Sequence, residues 1–352
     1  EKMLIQARSA LQTVPSTVDD AIEENAFYCS TLSDLHIHRG QYEAAYQEAQ
    51  EAQRLFQQVG SCRGMGRANF LLGMTSYRLG RVEQAREHLL EAVEMARQAG
   101  EPRLRLTAID TLADVLCHFG EYESAQRYFE EALETSRSLG DLYYSALILN
   151  NLGTVHFTQQ RFAQAGDCYQ ESLELCQQVG DRVGEAIALS NLSEIASLEG
   201  EHGRAWQLCE QTLAIGRELD DTWTILAAFC GLAEAAFAQG DYARSQECAI
   251  QGLHLASGSQ TLQMQARLAV SLGGTLWKLG NAETARQLLC AASQDQACAD
   301  DVRQRAQALL VEMGGANLVD VPPLGTLVIG FWEAERPQLC PMRVRQRCKN
   351  CA

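Results

Sequence analysis

Apolar and polar positions along this chain follow the 3.6-residue rhythm of amphipathic helices, and the rhythm restarts about every 20 residues. Gly stands at 40, 80, 120, 200, 240 and 280, with Gln160 breaking the series, and again at 60, 100, 140 and 180. Each of these residues closes a helical pattern, where a left-handed C-terminal position favours the side chain without a Cβ. Gln160 therefore marks a turn expected to differ in shape. Asp141, Asp181 and Asp221 stand just after or near such breaks in N-cap positions, and Pro102 suits a first helical turn, where its missing N–H is harmless. The pattern predicts helix–turn–helix units repeated with a period of 40 residues.

Within each period one position is always Leu: 32, 72, 112, 152, 192, 232 and 272. The next residue is always small (Ser33, Gly73, Ala113, Gly153, Ser193, Ala233, Gly273). The second helix carries Ala45, Ala85, Ala125, Ala165, Ala205 and Ala285, with Ser245 the substitution, and seven residues later Ala52, Ala92 and Ala132. A large Leu beside small residues is what two closely crossing helices require, because a longer side chain would push the axes apart.

Leu-small, an often aromatic position (Tyr42, Tyr122, Phe162, Tyr242), then Ala and Ala resembles the tetratricopeptide repeat. That resemblance implies an all-α fold, a right-handed superhelical solenoid of antiparallel helix pairs. The 40-residue form is similar to repeats in the sensor regions of bacterial signal-transduction NTPase regulators (AfsR-like, LuxR-type and maltose-activator-like). It is also similar to those of kinesin light chains and spindle-orientation adaptors. It implies a non-catalytic binding scaffold, the sensor or interaction region of a larger bacterial regulator. A small-molecule effector sensor and a eukaryotic-type adaptor stand as alternatives.

The expected organisation has four parts. Residues 1–20 end a preceding truncated repeat, with Leu4 and Ala7 in second-helix positions, and Ser16, Thr17 or Asp19 caps the next helix. Seven repeats fill 21–293, a capping helix 294–313, and a Pro-containing basic tail 314–352. In that tail Leu324 to Trp332 reads as a strand, and Val328, Ile329, Phe331 and Trp332 are either mobile or docked on the solenoid.

Charge and chemistry narrow the function. A net charge of −16 argues against a nucleic-acid partner. Thirteen cysteines, mostly within helical patterns, read as reduced core thiols and point to a cytoplasmic protein. No apolar run is long enough for a membrane helix, and the start at Glu1 without Met suggests a larger parent chain. The Gly-rich stretch 60–67 lacks the Lys and spacing of a phosphate loop. Cys340, Cys348 and Cys351 fall short of the four ligands of structural zinc, so neither a metal nor a cofactor is expected. His36 and His156 read as satisfied core residues, and His38 and His118 as groove residues.

In the resembled family the first helices line a binding groove. The implied positions lie two and one before the Leu, and two, five and six after it. They give Tyr77, Asp110, Asp114, Asn150, Asn151, Thr154, Phe157, Asn191, Glu194, Glu234, Phe237 and Trp277. Ser30, Leu71, Cys230, Val270 and Ser271 hold equivalent places. By that resemblance Asn150, Asn151 and Asn191 hold a peptide backbone, since an amide both donates and accepts. The family's groove for acidic C-termini needs Lys and Arg, where this chain offers Asp114, Glu194 and Glu234. The expected partner is a protein or peptide segment with basic and apolar residues.

Overall fold

Fifteen α-helices and no strand are present among the residues described by a computed structural model of the chain, namely 17–256, 262–295, 298–314, 322, 324, 326 and 327. The chain divides into two compact units, Glu1–Val179 and Gly180–Ala352. The first holds α1 (Val18–His38), α2 (Tyr42–Val59), α3 (Cys62–Arg78), α4 (Val82–Ala99), α5 (Pro102–His118), α6 (Tyr122–Ser138), α7 (Leu142–Thr158) and α8 (Phe162–Val179). The second holds α9 (Arg182–Leu198), α10 (His202–Glu218), α11 (Thr222–Ala238), α12 (Tyr242–Ala256), α13 (Leu262–Lys278), α14 (Ala282–Gln294) and α15 (Asp300–Glu312).

Helix starts follow local chemistry. Thr17 closes a reciprocal capping box with Asp20 at the head of α1. Asp181 accepts the Gly184 N–H at 3.0 Å, Asp221 the Thr224 N–H at 3.0 Å, and Pro102 opens α5. Helix ends use the left-handed residue, and here one expectation fails. Gln160 adopts φ +60° and Asp220 φ +52°, beside Gly120 at +74°. The Gln160 and Arg161 N–H groups donate to Phe157 and His156 carbonyls at 2.8 and 2.9 Å, as Gly120 and Glu121 do to Cys117 and Leu116 at 3.0 and 2.9 Å. The Gln160 turn has the common shape, because the flanking hydrogen bonds outweigh the side chain's aversion to it.

Within each unit each helix packs on the next, and first helices also touch first helices: α1 with α3, α3 with α5, α5 with α7, then α9 with α11, α11 with α13, and α13 with α15. The repeated Leu is buried at 72, 112, 152, 192, 232 and 272, while Leu32 is half-buried. Ala45, Ala85, Ala125, Ala165 and Ala285 are sealed in the helix crossings. The small residue after the Leu is a steric necessity. A Cβ on Gly73 would lie 2.5 Å from Leu89 Cγ, and one on Gly153 would lie 2.6 Å from Tyr169 Cε1.

The strand expected at Leu324 is not formed: Leu324, Thr326 and Leu327 are helical. Leu324 is buried in the core of the second unit with Val302, Ala306 and Leu310. Val328, Ile329, Phe331, Trp332, Cys340, Cys348 and Cys351 lie outside the described residues, as do Leu4, Ala7 and Ser16. The ten described cysteines are free thiols. Among the described residues no helix is long and apolar enough to cross a membrane, and no His/Cys/Asp/Glu group is placed to hold a metal ion.

Candidate functional site

Helical spacing puts Tyr143, Leu147, Asn150, Asn151, Thr154 and Thr158 on one face of α7, because residues three, four and seven apart share a side. In the first unit that face meets α5 across a cleft of about 110 Å³. Asp114, Cys117, Tyr122, Asn151, Thr154 and Thr158 line it, with Phe129 and Val155 beneath. Half-buried Asp110, one turn before Asp114, accepts a hydrogen bond from the Asn151 amide at 3.2 Å. The Tyr169 hydroxyl donates to Thr154 Oγ1 at 3.3 Å.

Carboxylates in this setting lose water without gaining a cation. Burial lifts Asp110 to about 6, against the pull of the Asn151 hydrogen bond. Burial also lifts Asp114, to about 7, and the neighbouring Asp110 charge adds to it. Asp114 still reaches solvent at the cleft mouth, so protein crowds it on one side rather than sealing it off. Cys117 is pushed up to about 11 by burial first and Asp114 second, which leaves it an unreactive thiol.

Two aromatic residues of this unit are already engaged. Tyr77 stacks edge-on against His118 with centroids 5.5 Å apart, and its hydroxyl lies 3.2 Å from His118 Nδ1. Phe157 packs edge-on against Phe162 at 5.5 Å. Asn150, next to Asn151 in sequence, is half-buried. His156 is buried, as its core position implies, but its Nδ1 has no hydrogen-bond partner, so it is not a satisfied core residue.

In the second unit Asn191 is half-buried and Glu194 reaches solvent. Burial raises the Glu194 pKa, Arg267 opposes that, and Glu234 and Asp301 reinforce it. Glu234 is not the open acidic position that the sequence suggested. Arg267 and Arg305 contact its carboxylate at 3.2 and 2.7 Å. Burial works to raise its pKa, yet the two arginines outweigh that and hold it below the ordinary range. Phe237 packs on Tyr242 with centroids 5.6 Å apart, and the Lys278 ammonium sits 4.0 Å from the Trp277 ring. Ser30, Leu71, Cys230, Val270 and Ser271 are buried rather than presented to a groove.

The sequence reading missed exposed apolar residues at the start of the first helices. Tyr143 and Leu147 are exposed in the first unit, and Val183, Ile187 and Trp223 in the second. Their signal was available: Tyr143, Val183 and Trp223 occupy one repeat position. It missed the ion pairs between successive repeats as well. Arg67 meets Asp34 at 2.5 Å and Arg267 meets Glu234, each pair separated by 33 residues.

Tetratricopeptide-repeat profiles match residues 64–138, 144–218 and 230–301, more than half of the chain. This chain belongs to the tetratricopeptide-repeat family. Solved tetratricopeptide-like structures share its fold at low identity. The apo form of the quorum sensor NprR from B. thuringiensis aligns with a TM-score of 0.67 at 15% identity, over 96% of this chain and 90% of that one. A signal-transduction ATPase with numerous domains and a tetratricopeptide-repeat sensor, from Pyrococcus horikoshii, aligns at 0.67 and 14% identity. That alignment covers 84% of this chain and 44% of the ATPase. A Rap protein complexed with competence and sporulation factor aligns at 0.56 and 15% identity, over 88% and 81% of the two chains. No curated protein sequence matches this tetratricopeptide-repeat chain.

Proposed function

We propose that this chain is a non-catalytic recognition module. The faces of its first helices hold a peptide or extended protein segment bearing basic and apolar side chains, as the sensor or interaction region of a larger, cytoplasmic bacterial regulator. The observation that carries this reading is the cleft of the first unit. Asp114, an amide at Asn151 and hydroxyls at Thr154 and Thr158 converge on about 110 Å³ of open space. That volume takes one side chain, whereas a small-molecule pocket typically spans roughly 300–1,000 Å³. A peptide laid across the face, one side chain inserted, fits the space better than a free effector does. Exposed Tyr143 and Leu147 on the same helix face offer contacts for apolar neighbours of that side chain. A Rap protein similar in fold, whose structure is a complex with competence and sporulation factor, supports such an occupant. The second unit offers exposed Glu194 with exposed Val183, Ile187 and Trp223.

A phage-displayed peptide library selected on the immobilised full chain tests the reading. Enriched peptides should combine basic and apolar residues, and their binding should weaken with salt, since exposed charge pairs are screened. Asp114→Lys with Glu194→Lys should abolish the enrichment. Equal selection by that double variant would sink the proposal.

A further inference from the structure

Four acidic residues share one repeat position, two after the Leu: Asp34, Asp114, Glu194 and Glu234. Asp34 and Glu234 are each matched by an arginine 33 residues further on, Arg67 and Arg267, at the position five before the next repeat's Leu. For Asp114 that position is Leu147, and for Glu194 it is Ala227. Leu147 cannot supply charge. Asp114 has no ion pair among the described residues, and the cleft lining contains no Lys or Arg. The acidic half of the rung is thus retained at Asp114, Asp110 stands one turn away, and the space beside Asp114 is open.

We propose that this cleft receives an arginine side chain from the bound segment, its guanidinium docking on Asp114 as Arg67 docks on Asp34 and Arg267 on Glu234. The inference rests on the peptide-binding reading above and names the side chain that the cleft selects. A guanidinium suits the site better than an ammonium. It is planar, more weakly hydrated, and carries five donors that can meet a carboxylate in a fork. Acceptors for the remaining N–H groups are at hand. Thr154 and Thr158 donate their own hydroxyl protons to the Asn150 carbonyl and the Thr154 carbonyl; Thr158 keeps its oxygen lone pairs for a ligand, and Thr154, which already accepts from Tyr169, keeps one. Asn151 spends an N–H on Asp110 and keeps its carbonyl oxygen.

The test uses capped pentapeptides, Ac-Leu-Phe-X-Leu-Tyr-amide, with arginine, lysine or citrulline at X. Binding is measured to the full chain, to Leu147→Arg, which restores the arginine in cis, and to Asp114→Asn. The Asp114 carboxyl is titrated by ¹³C NMR in the wild type and in Leu147→Arg. Arginine should exceed citrulline by about tenfold or more in the wild type, as a charged hydrogen-bonded partner does, and exceed lysine by a smaller margin. The advantage should disappear in both variants, and the Asp114 midpoint should fall in Leu147→Arg. Leu147 is exposed, so the arginine is tolerated there, and Asp114→Asn tests the same preference without new bulk. Peptides that bind equally whatever X is, or an Asp114 midpoint unmoved by Leu147→Arg, would overturn the arginine site while leaving peptide binding intact. If the midpoint falls but no peptide of the set binds, the arginine rung stands and the peptide-binding reading is what fails.

Discussion

Asp114 concentrates the electrostatics of the first unit in one side chain. Its pKa, with that of Asp110, is raised chiefly by burial, to about 7 and about 6. The sign for stability follows from which state holds the proton. Between the ordinary aspartate range and these values the folded chain keeps protons that the unfolded chain has released. Their contribution is therefore fully present only below the ordinary aspartate value of 3.8 and is lost progressively as pH rises through 6 and 7. Asp114→Asn removes the charge and keeps the shape. Because the side chain reaches solvent, screening trims the effect, and the expected gain is roughly 1–3 °C in Tm at pH 8. At pH 4 the two proteins should melt together. An equal gain at both pH values would mean that the substitution acts through packing instead. Cation binding has the opposite slope: an arginine peptide needs the ionised carboxylate, so its affinity should climb over the same interval in which stability declines.

At the scale of single helices and turns, local chemistry decided most boundaries. Asp141, Asp181 and Asp221 cap their helices with backbone hydrogen bonds made three residues on, so the residue type at the cap predicts the helix start. Gln160 and Leu324 show where local reading stops. Gln160 breaks the glycine series and so predicts a changed turn, yet it takes φ +60°. A left-handed non-glycine residue costs roughly 1–2 kcal/mol, less than the turn's own hydrogen bonds and the packing of α7 and α8 impose. Gln160→Gly should accordingly raise stability by about 1 kcal/mol in chemical denaturation, with the m-value unchanged. Asp220→Gly should give less, because Asp tolerates that conformation better than Gln. No gain at Gln160 would show that its side chain contributes something the turn geometry does not reveal. Leu324 had local strand character, and burial with Val302, Ala306 and Leu310 overrode it.

For the molecule as a whole, the period of 40 made the fold legible, while the site was legible only in part. Helical periodicity identifies which residues share a first-helix face, so Asp110, Asp114, Asn151 and Thr154 were found together. Pairing across repeats is set by the stagger of one helix pair on the next, which periodicity within a repeat does not encode. Glu234 therefore looked open in the sequence and is held by Arg267 and Arg305. The same stagger makes stability a sum of neighbour contacts rather than one core. Gly73→Ala tests this in the first unit. Its added Cβ would fall 2.5 Å from Leu89 Cγ and 3.2 Å from the Ala85 carbonyl oxygen, so the α3–α4 crossing must open. Overpacking of this kind costs about 1–3 kcal/mol. Amide hydrogen exchange should then quicken most in α3 and α4, less in the adjoining α2 and α5, and least in α7 and α8, which make no contact with the altered pair. Uniform quickening across the unit would instead mean that its four helix pairs open as one cooperative block. A ligand bound at α5 and α7 could then stiffen α1 as strongly as its own cleft, whereas the graded profile confines the response to the repeats beside the site.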